Sequence, residues 1–344
     1  MRKLKPYLEK ILAQEGLTFE EMREASRALF SDEVTEGEMG AFLAVLKCKG
    51  ETAEEIAGLV EVIREKAVPV PCSVPGLMDN CGTGGDGSHS FNISSTSAFV
   101  LAASGVKVAK HGNRSVSSQT GSADVLEKLG ISLSFPAEEI EGLLREIGIV
   151  FLFAPNVHPA LGKMMKIRKD LRIPTIFNLI GPLTNPMNLE TQLLGLYRRD
   201  MLRTMAEVLG RLGRKRALVV NGAGYLDEAS LSGENHFALL DGGKITTFTL
   251  TPEEVGLPYY PLEAIRGGDA QKNSDILLSV LKGEKGAYRD TVLFNAGLAL
   301  FAAGRAETVK EGIQIAEQAI ESGAALEKLH ALIEASRKLT QEAI

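Results

Sequence analysis

Apolar residues in the first part of the chain recur at three- and four-residue spacing: Leu4, Tyr7, Leu8, Ile11 and Leu12, and later Ile56, Leu59, Val60 and Ile63. That period places them on one face of a helix. Three Thr-x-x-Glu capping boxes, Thr18/Glu21, Thr35/Glu38 and Thr52/Glu55, each precede such a stripe, and a box of this kind satisfies orphan N–H groups at a helix start. Four short helices are expected. None could hold its stripe in water alone, so together they predict a small helical domain over residues 1–70. The Val68-Pro69-Val70-Pro71 stretch is the natural linker at its end.

From residue 71 to 344 the pattern changes to short β-rich runs alternating with helices. Candidate strands are Leu77–Asp79, Val106–Ala109, Ile131–Phe135, Val150–Phe153, Leu193–Leu196 and Ala217–Asn221. Helices are expected between them, among them Ser97–Ala103, Glu138–Ile147 and Met201–Leu212. A hairpin is expected where Phe237–Leu240 and Ile245–Leu250 flank Asp241-Gly242-Gly243, with Ile245, Thr247 and Thr249 on one face. Three helices close the chain, over Asp269–Lys282, Asp290–Ala303 and Glu307–Arg337, the last broken at Gly323. The fold class is therefore α/β: a small helical domain and a large domain with a central, largely parallel sheet.

At 344 residues the chain can bury a large core, and its net charge of −6 gives no global reason to expect nucleic acid or an acidic membrane as partner. Cys48, Cys72 and Cys81 are odd in number and lack CxxC spacing, which fits a reducing cytoplasm rather than a disulfide framework. The charged N-terminus has no signal-peptide core, and Val292–Ala303, the most apolar later run, is too short to span a bilayer.

Candidate chemistry concentrates between Asp79 and Gly130. Two polar, glycine-bearing loops lie there, Gly82-Thr83-Gly84-Gly85-Asp86-Gly87 and Lys110-His111-Gly112-Asn113-Arg114, each followed by hydroxyl residues. Glycine permits close backbone approach, N–H groups at a helix start point at charge, and hydroxyls and cations complete an anion shell. The Gly82-x-Gly84-x-x-Gly87 spacing fits a dinucleotide fingerprint, but the next strand ends in Lys110-His111 instead of the acidic residue that would hold a ribose hydroxyl. A phosphate-binding Walker loop fails too, because Ser88-His89 follows Gly87.

These loops, with Asn92-Ile93-Ser94-Ser95, Gly121-Ser122-Ala123-Asp124, Asn156-Val157-His158-Pro159, Gly181-Pro182-Leu183-Thr184-Asn185-Pro186 and Asp227-Glu228, resemble the anthranilate phosphoribosyltransferases along essentially the whole chain. The resemblance implies a nucleoside phosphorylase/phosphoribosyltransferase-like architecture. A mid-chain segment near 168–185 would join the helical domain, and the site would lie between the domains. It implies transfer of the phosphoribosyl group of phosphoribosyl pyrophosphate (PRPP) to the amine of anthranilate in tryptophan biosynthesis, by a cytoplasmic homodimer.

By the same resemblance, PRPP would be lined by Gly82, Gly85, Asp86, Ser90, Asn92, Ile93, Ser94 and Ser95 from the first loop. The second would contribute Lys110, His111, Gly112, Asn113, Arg114, Ser115, Val116, Ser117, Ser118 and Ser122. Gly82, Asn113 and Arg168 would hold anthranilate, Arg168 meeting its carboxylate with a bidentate fork. Mg2+, two ions per monomer, would be held by Ser94, Asp227 and Glu228 and by phosphate oxygens. An aryl amine is already nucleophilic near neutral pH, so no catalytic base is assigned; His111 would position or polarise, and His158 could be structural. Gln119 stands where the family commonly has a basic residue, and Ala229 where a larger aliphatic is common. A pyrimidine nucleoside phosphorylase shares the fold, but KHGNR argues against it; a non-catalytic nucleic-acid binder is disfavoured by the acidic balance and Asp227-Glu228.

Overall fold

The computed structural model describes residues 3–114 and 120–342. Four helices open the chain: α1 (Lys5–Leu12), α2 (Phe19–Leu29), α3 (Glu36–Lys49) and α4 (Ala53–Glu65). All three capping boxes form as the sequence predicts, each threonine hydroxyl accepting from the N3 amide and each glutamate from the cap amide. Glu55 does more than cap. Its buried carboxylate also accepts from the Leu17 amide (2.9 Å) and pairs with Lys49 (2.9 Å), tying the α1–α2 loop to α4.

The remaining elements alternate: β1 (Leu77–Asp79), α5 (Ile93–Ala103), β2 (Lys107–Gly112), α6 (Ser122–Lys128), α7 (Ile140–Glu146), β3 (Ile149–Phe153), α8 (Ala154–Val157), α9 (Gly162–Leu171), β4 (Thr191–Gly195), α10 (Leu202–Arg211), β5 (Arg216–Asn221), β6 (Asn235–Asp241) and β7 (Lys244–Leu250). Four helices follow, α11 (Ala270–Leu281), α12 (Ala287–Ala302), α13 (Val309–Glu321) and α14 (Ala324–Glu342). Among the described residues the strands form one sheet of order β3-β2-β1-β4-β5-β6-β7, parallel through β5 and antiparallel at the β6–β7 hairpin. Gly242 and Gly243 both have positive φ (55° and 84°), the geometry a two-residue hairpin with right-twisted strands requires.

Strand alternation divides the interior into two cores. Leu193, Leu218, Val220 and Phe237 face α5 and α12. Their neighbours Leu194, Val219, Ala238 and Leu240 face α10 and, beyond it, the N-terminal helices. Met164, Ile167, Ile176, Phe177, Ile180 and Leu183 join that second core, so the mid-chain run packs with α1–α4. The chain thus crosses back to the helical side just before β4.

One expected strand is absent. Ile131–Phe135 runs irregularly beside β3. The Ser132 hydroxyl accepts from the Ser134 amide (3.1 Å), and the Asn156 amide donates to the Leu133 carbonyl (2.9 Å) and the Ser134 hydroxyl (2.9 Å). Side-chain partners have taken backbone groups that a ladder would use. No described helix is long and apolar enough to cross a membrane.

Candidate active site

The first loop leaves the carboxyl end of β1, where ligands bind in sheets of this kind. Gly84, Gly85, Gly87 and the non-glycine His89 all have positive φ (66°, 80°, 70° and 54°), so the loop is a succession of left-handed turns that few other residues would tolerate. It rests on a second loop after β5. Asp227 Oδ2 accepts from the Gly84 amide (2.6 Å), 143 residues away, and Asp86 Oδ2 accepts from the Asp227 amide (3.2 Å). A side chain at Gly82 would strike the Asp227 carboxylate, and one at Gly195, the last residue of β4, would strike the Asp227 carbonyl.

Glu228 is buried, and its Oε1 accepts from the Ser94 amide (3.2 Å) in the first turn of α5. Burial, opposed by Lys110, pushes its carboxyl up to about 7. Burial and the neighbouring Asp86 and Glu228 push Asp227 well above the usual carboxylate range. Burial thus makes the charged form of both carboxyls costly until a cation is supplied. Among the described residues no three His, Cys, Asp or Glu side chains form a ready-made metal cage. Adjacent oxygen donors short of a full cage suit Mg2+, which takes one or two carboxylates and completes its shell with water and phosphate.

The second loop is built from side chains. Lys110 and His111 end β2 and are buried. Lys110 Nζ donates to Asn80 Oδ1 (3.3 Å), and Asn80 Nδ2 donates to the Ser94 carbonyl (2.9 Å), linking the two loops through one amide. His111 Nδ1 lies 3.2 Å from the Gly181 carbonyl, and its ring meets His158 edge-on at 5.4 Å between centroids. Burial, His158 and Lys110 push His111 down to about 3. It is therefore neutral, Nδ1 carries the proton donated to Gly181, and the buried Nε2, which has no partner among the described residues, is left as an acceptor. Burial lowers His158 as well.

Gly112 packs against Ser122 and Phe151. Asn113 and Arg114 are exposed, and Arg114 is committed to Asp124 (2.8 Å) and Glu127 (2.9 Å) of α6. Ser122 donates to the Asn113 carbonyl (3.2 Å). Ser115, Val116, Ser117, Ser118 and Gln119 lie outside the described residues; Thr120, which follows them, donates to the Gly268 carbonyl (2.8 Å).

The structure thus brings Gly82, Asp86, Ser94, Asp227 and Glu228 together, and joins Lys110 to them through Asn80. Ser90 pairs with Arg266, and Asn92 Oδ1 accepts from Asn273 (2.9 Å). Ile93 is buried, as is Ser95, whose hydroxyl has no partner among the described residues. Gly85 sits near the Tyr197 ring. Arg168 stands apart on α9, on the helical side. It is half-buried over the Phe177 ring (5.7 Å), and burial without an acidic neighbour lowers its pKa. Its Nη1 donates only to the Met165 sulfur (3.3 Å) and it has no acidic partner among the described residues, so its guanidinium suits a carboxylate.

Several contributors escape a reading of the sequence. Asp79 is fully buried and accepts from the Asn80 amide (2.8 Å), the His111 amide (3.3 Å) and Asn185 Nδ2 (2.9 Å), so it fixes both strand ends. Asn295 of α12 clamps Ala229, donating to its carbonyl and accepting from its amide (both 2.9 Å), and so holds the acidic loop. A lone asparagine in the apolar run of α12 was the available signal, since a buried amide must find partners. Gly195 offered none.

Residues 5–67 match the glycosyl transferase family, helical bundle domain, and residues 74–326 the glycosyl transferase family, a/b domain. An anthranilate phosphoribosyltransferase of Bacillus mycoides (strain KBAB4) is 61% identical over 332 residues, 96% of this chain and 97% of its own length. The one from Exiguobacterium sibiricum is 61% identical over 341 residues, 99% and 100% of the two chains. The crystal structure of anthranilate phosphoribosyltransferase from Thermus thermophilus superposes with a TM-score of 0.89 at 42% identity, covering 96% of this chain and 99% of that one. The Saccharomyces cerevisiae enzyme in complex with PRPP and Mg gives 0.89 at 28% identity, covering 97% and 98%. The chain belongs to the anthranilate phosphoribosyltransferase family.

Proposed function

We propose that the chain transfers the phosphoribosyl group of PRPP to the amine of anthranilate, giving N-(5-phosphoribosyl)anthranilate and pyrophosphate in tryptophan biosynthesis. The observation that carries this is the glycine loop seated on Asp227-Glu228, facing a strand end that supplies Lys110 and His111. The names of the 61%-identical relatives support it. So does the yeast relative's complex with PRPP and Mg.

In the transfer, the bond from ribose C1 to the pyrophosphate oxygen breaks, a bond from C1 to the aryl nitrogen forms, and the nitrogen loses a proton. The protein's task is to hold anions and align the amine. Backbone and hydroxyl groups of Gly82, Gly85, Asp86, Ser90, Asn92, Ile93, Ser94 and Ser95 surround the pyrophosphate in this account, and the 110–118 run with Ser122 surrounds the rest of the donor. Mg2+, two ions per monomer, would be held by Ser94, Asp227 and Glu228, and would neutralise the charge gathering on the leaving group. Arg168 grips the carboxylate of anthranilate, and Asn113 and the Gly82 backbone flank the ring. His111, neutral with Nε2 as acceptor, positions an N–H donor and is not required to take a proton before attack.

The proposal includes a cytoplasmic homodimer that binds neither nucleic acid nor membrane. The decisive assay follows PRPP-dependent loss of anthranilate fluorescence with and without Mg2+, and should show turnover only when both are present. Phosphorolysis of a pyrimidine nucleoside with no use of anthranilate would overturn the assignment. Light scattering at micromolar concentration checks the dimer, and a monomer would contradict it.

A further inference from the structure

The turn after β4, Gly195-Leu196-Tyr197-Arg198, is the meeting point of three parts of the molecule. The Gly195 carbonyl accepts from the Thr83 amide (2.9 Å), and the Thr83 hydroxyl accepts from the Tyr197 amide (3.3 Å). The Tyr197 ring lies 4.0 Å from where a side chain on Gly85 would begin. The Asp227 carbonyl packs against Gly195. From the other side comes Glu51, in the short loop between α3 and α4 of the helical domain.

Glu51 is out of place as a surface residue. Its side chain is 1% exposed, and neither carboxylate oxygen has a hydrogen-bond partner among the described residues. Its cations stop short: Arg198 Nη1 is 3.6 Å away and Lys47 Nζ 3.8 Å. Arg198 is divided. Its outer edge, Nε and Nη2, binds the exposed Asp200, while Nη1 is buried, faces Glu51 and makes no hydrogen bond among the described residues. A desolvated carboxylate and guanidinium held apart across two domains are costly to keep unless the pairing sets a geometry. The residue next to Arg198 is the one that touches the glycine loop.

We propose that Glu51 is a positioning residue for the phosphorylated donor: through Arg198 it fixes the 195–198 turn from the helical-domain side, and through Tyr197 it sets the conformation of Thr83–Gly85. This rests on the glycine loop being the PRPP site. Glu51 touches no substrate in this account. It acts through the backbone of the turn, so its influence should reach donor binding and leave the acceptor alone.

The test is Glu51→Gln, which keeps the shape and removes the charge, with Arg198→Lys as a second variant should the first fail to fold. PRPP with Mg2+ is first titrated against the wild-type protein by thermal shift. No PRPP effect there would defeat the site assignment itself, independently of Glu51. Given binding, Glu51→Gln should raise the KM for PRPP about five- to tenfold, the upper figure corresponding to ~1.4 kcal/mol. The KM for anthranilate should stay within twofold, and Arg198→Lys should fall between. A double-mutant cycle of Glu51→Gln with Thr83→Val should be non-additive, because both act on one turn. A lowered Tm with unchanged KM for PRPP would reduce the pair to a structural contact and overturn the proposal. A selective rise in KM for anthranilate would overturn it also.

Discussion

The two polar loops look alike in sequence, each combining glycine, hydroxyls and charge, but they are built on opposite principles. The first is a backbone structure seated on acids. Its turns are left-handed, its support is the Asp227-Glu228 loop, and burial there raises both carboxyls, Glu228 to about 7 against the opposing pull of Lys110. The second is a side-chain structure at the end of β2, where Lys110 and His111 are buried and the imidazole falls to about 3. One wall presents the Asp227 and Glu228 carboxyls, and the other carries the buried Lys110. On the proposed function, a phosphate chain carrying Mg2+ would meet both walls at once, and selectivity for it would be a property of the pair.

The sharpest way to break the comparison is to neutralise the acidic wall. Asp227→Asn with Glu228→Gln should reduce turnover by about 10²-fold or more, in the range of losing preorganised charge stabilisation, with the fold retained by circular dichroism. Full turnover at low Mg2+ would contradict the division of labour.

Gly195→Ala probes the same wall without touching a charge. The new methyl would collide with the Asp227 carbonyl, and forced overpacking of this kind costs roughly 1–3 kcal/mol. Activity should fall together with Mg2+ dependence on titration, and an unaffected enzyme would show that the acidic loop can move freely.

Arg168 belongs to neither wall. Arg168→Ala should raise the KM for anthranilate about 10- to 150-fold, the worth of a charge-assisted contact of ~1.5–3 kcal/mol, and leave the KM for PRPP nearly unchanged. Arg168→Lys should recover only part, since an ammonium cannot make the two-pronged contact. The reverse pattern in steady-state kinetics would move Arg168 to the donor side.

The smallest effects concern pH, and here the walls should differ in sign. Glu228 holds its proton more tightly folded than unfolded. Its contribution to metal-free stability is present below 4.5 and is lost as pH rises toward 7, by at most ~3 kcal/mol. Glu228→Gln should flatten that limb of the denaturant-unfolding profile. His111 prefers the neutral form, so its contribution is present above 6.5 and is lost as pH falls toward 3. Between pH 6 and 8 the rate should carry no ionisation removed by His111→Asn. If that variant abolishes an inflection there, His111 titrates in the working range.

What could be read in the residues and what could not divides along sequence separation. The capping boxes at Thr18, Thr35 and Thr52 formed as written because a cap is an interaction across three residues. The β6–β7 hairpin followed from Gly242-Gly243 for the same reason. Ile131–Phe135 shows the limit: its β-rich composition was overridden by Asn156, a partner from beyond β3. Motif resemblance marked Asp227-Glu228 and Arg168 as functional, whereas composition alone would have left them as an acidic turn and a basic helix face.

Local elements, the alternation that makes an α/β fold, and the two glycine-bearing stretches at strand ends are written in the order of the residues. Folding in three dimensions is what makes Gly195 bare, because the Asp227 carbonyl lies against it, sets Asn295 as the clamp of the acidic loop, and has Asp79 fix both strand ends. It alone faced Glu51 toward Arg198. The physical reason is that helix caps and turns are chosen by forces acting within a few residues. The chemistry of the site comes from groups far apart in the chain, which a parallel sheet brings to a common edge and burial then makes costly to leave unpaired.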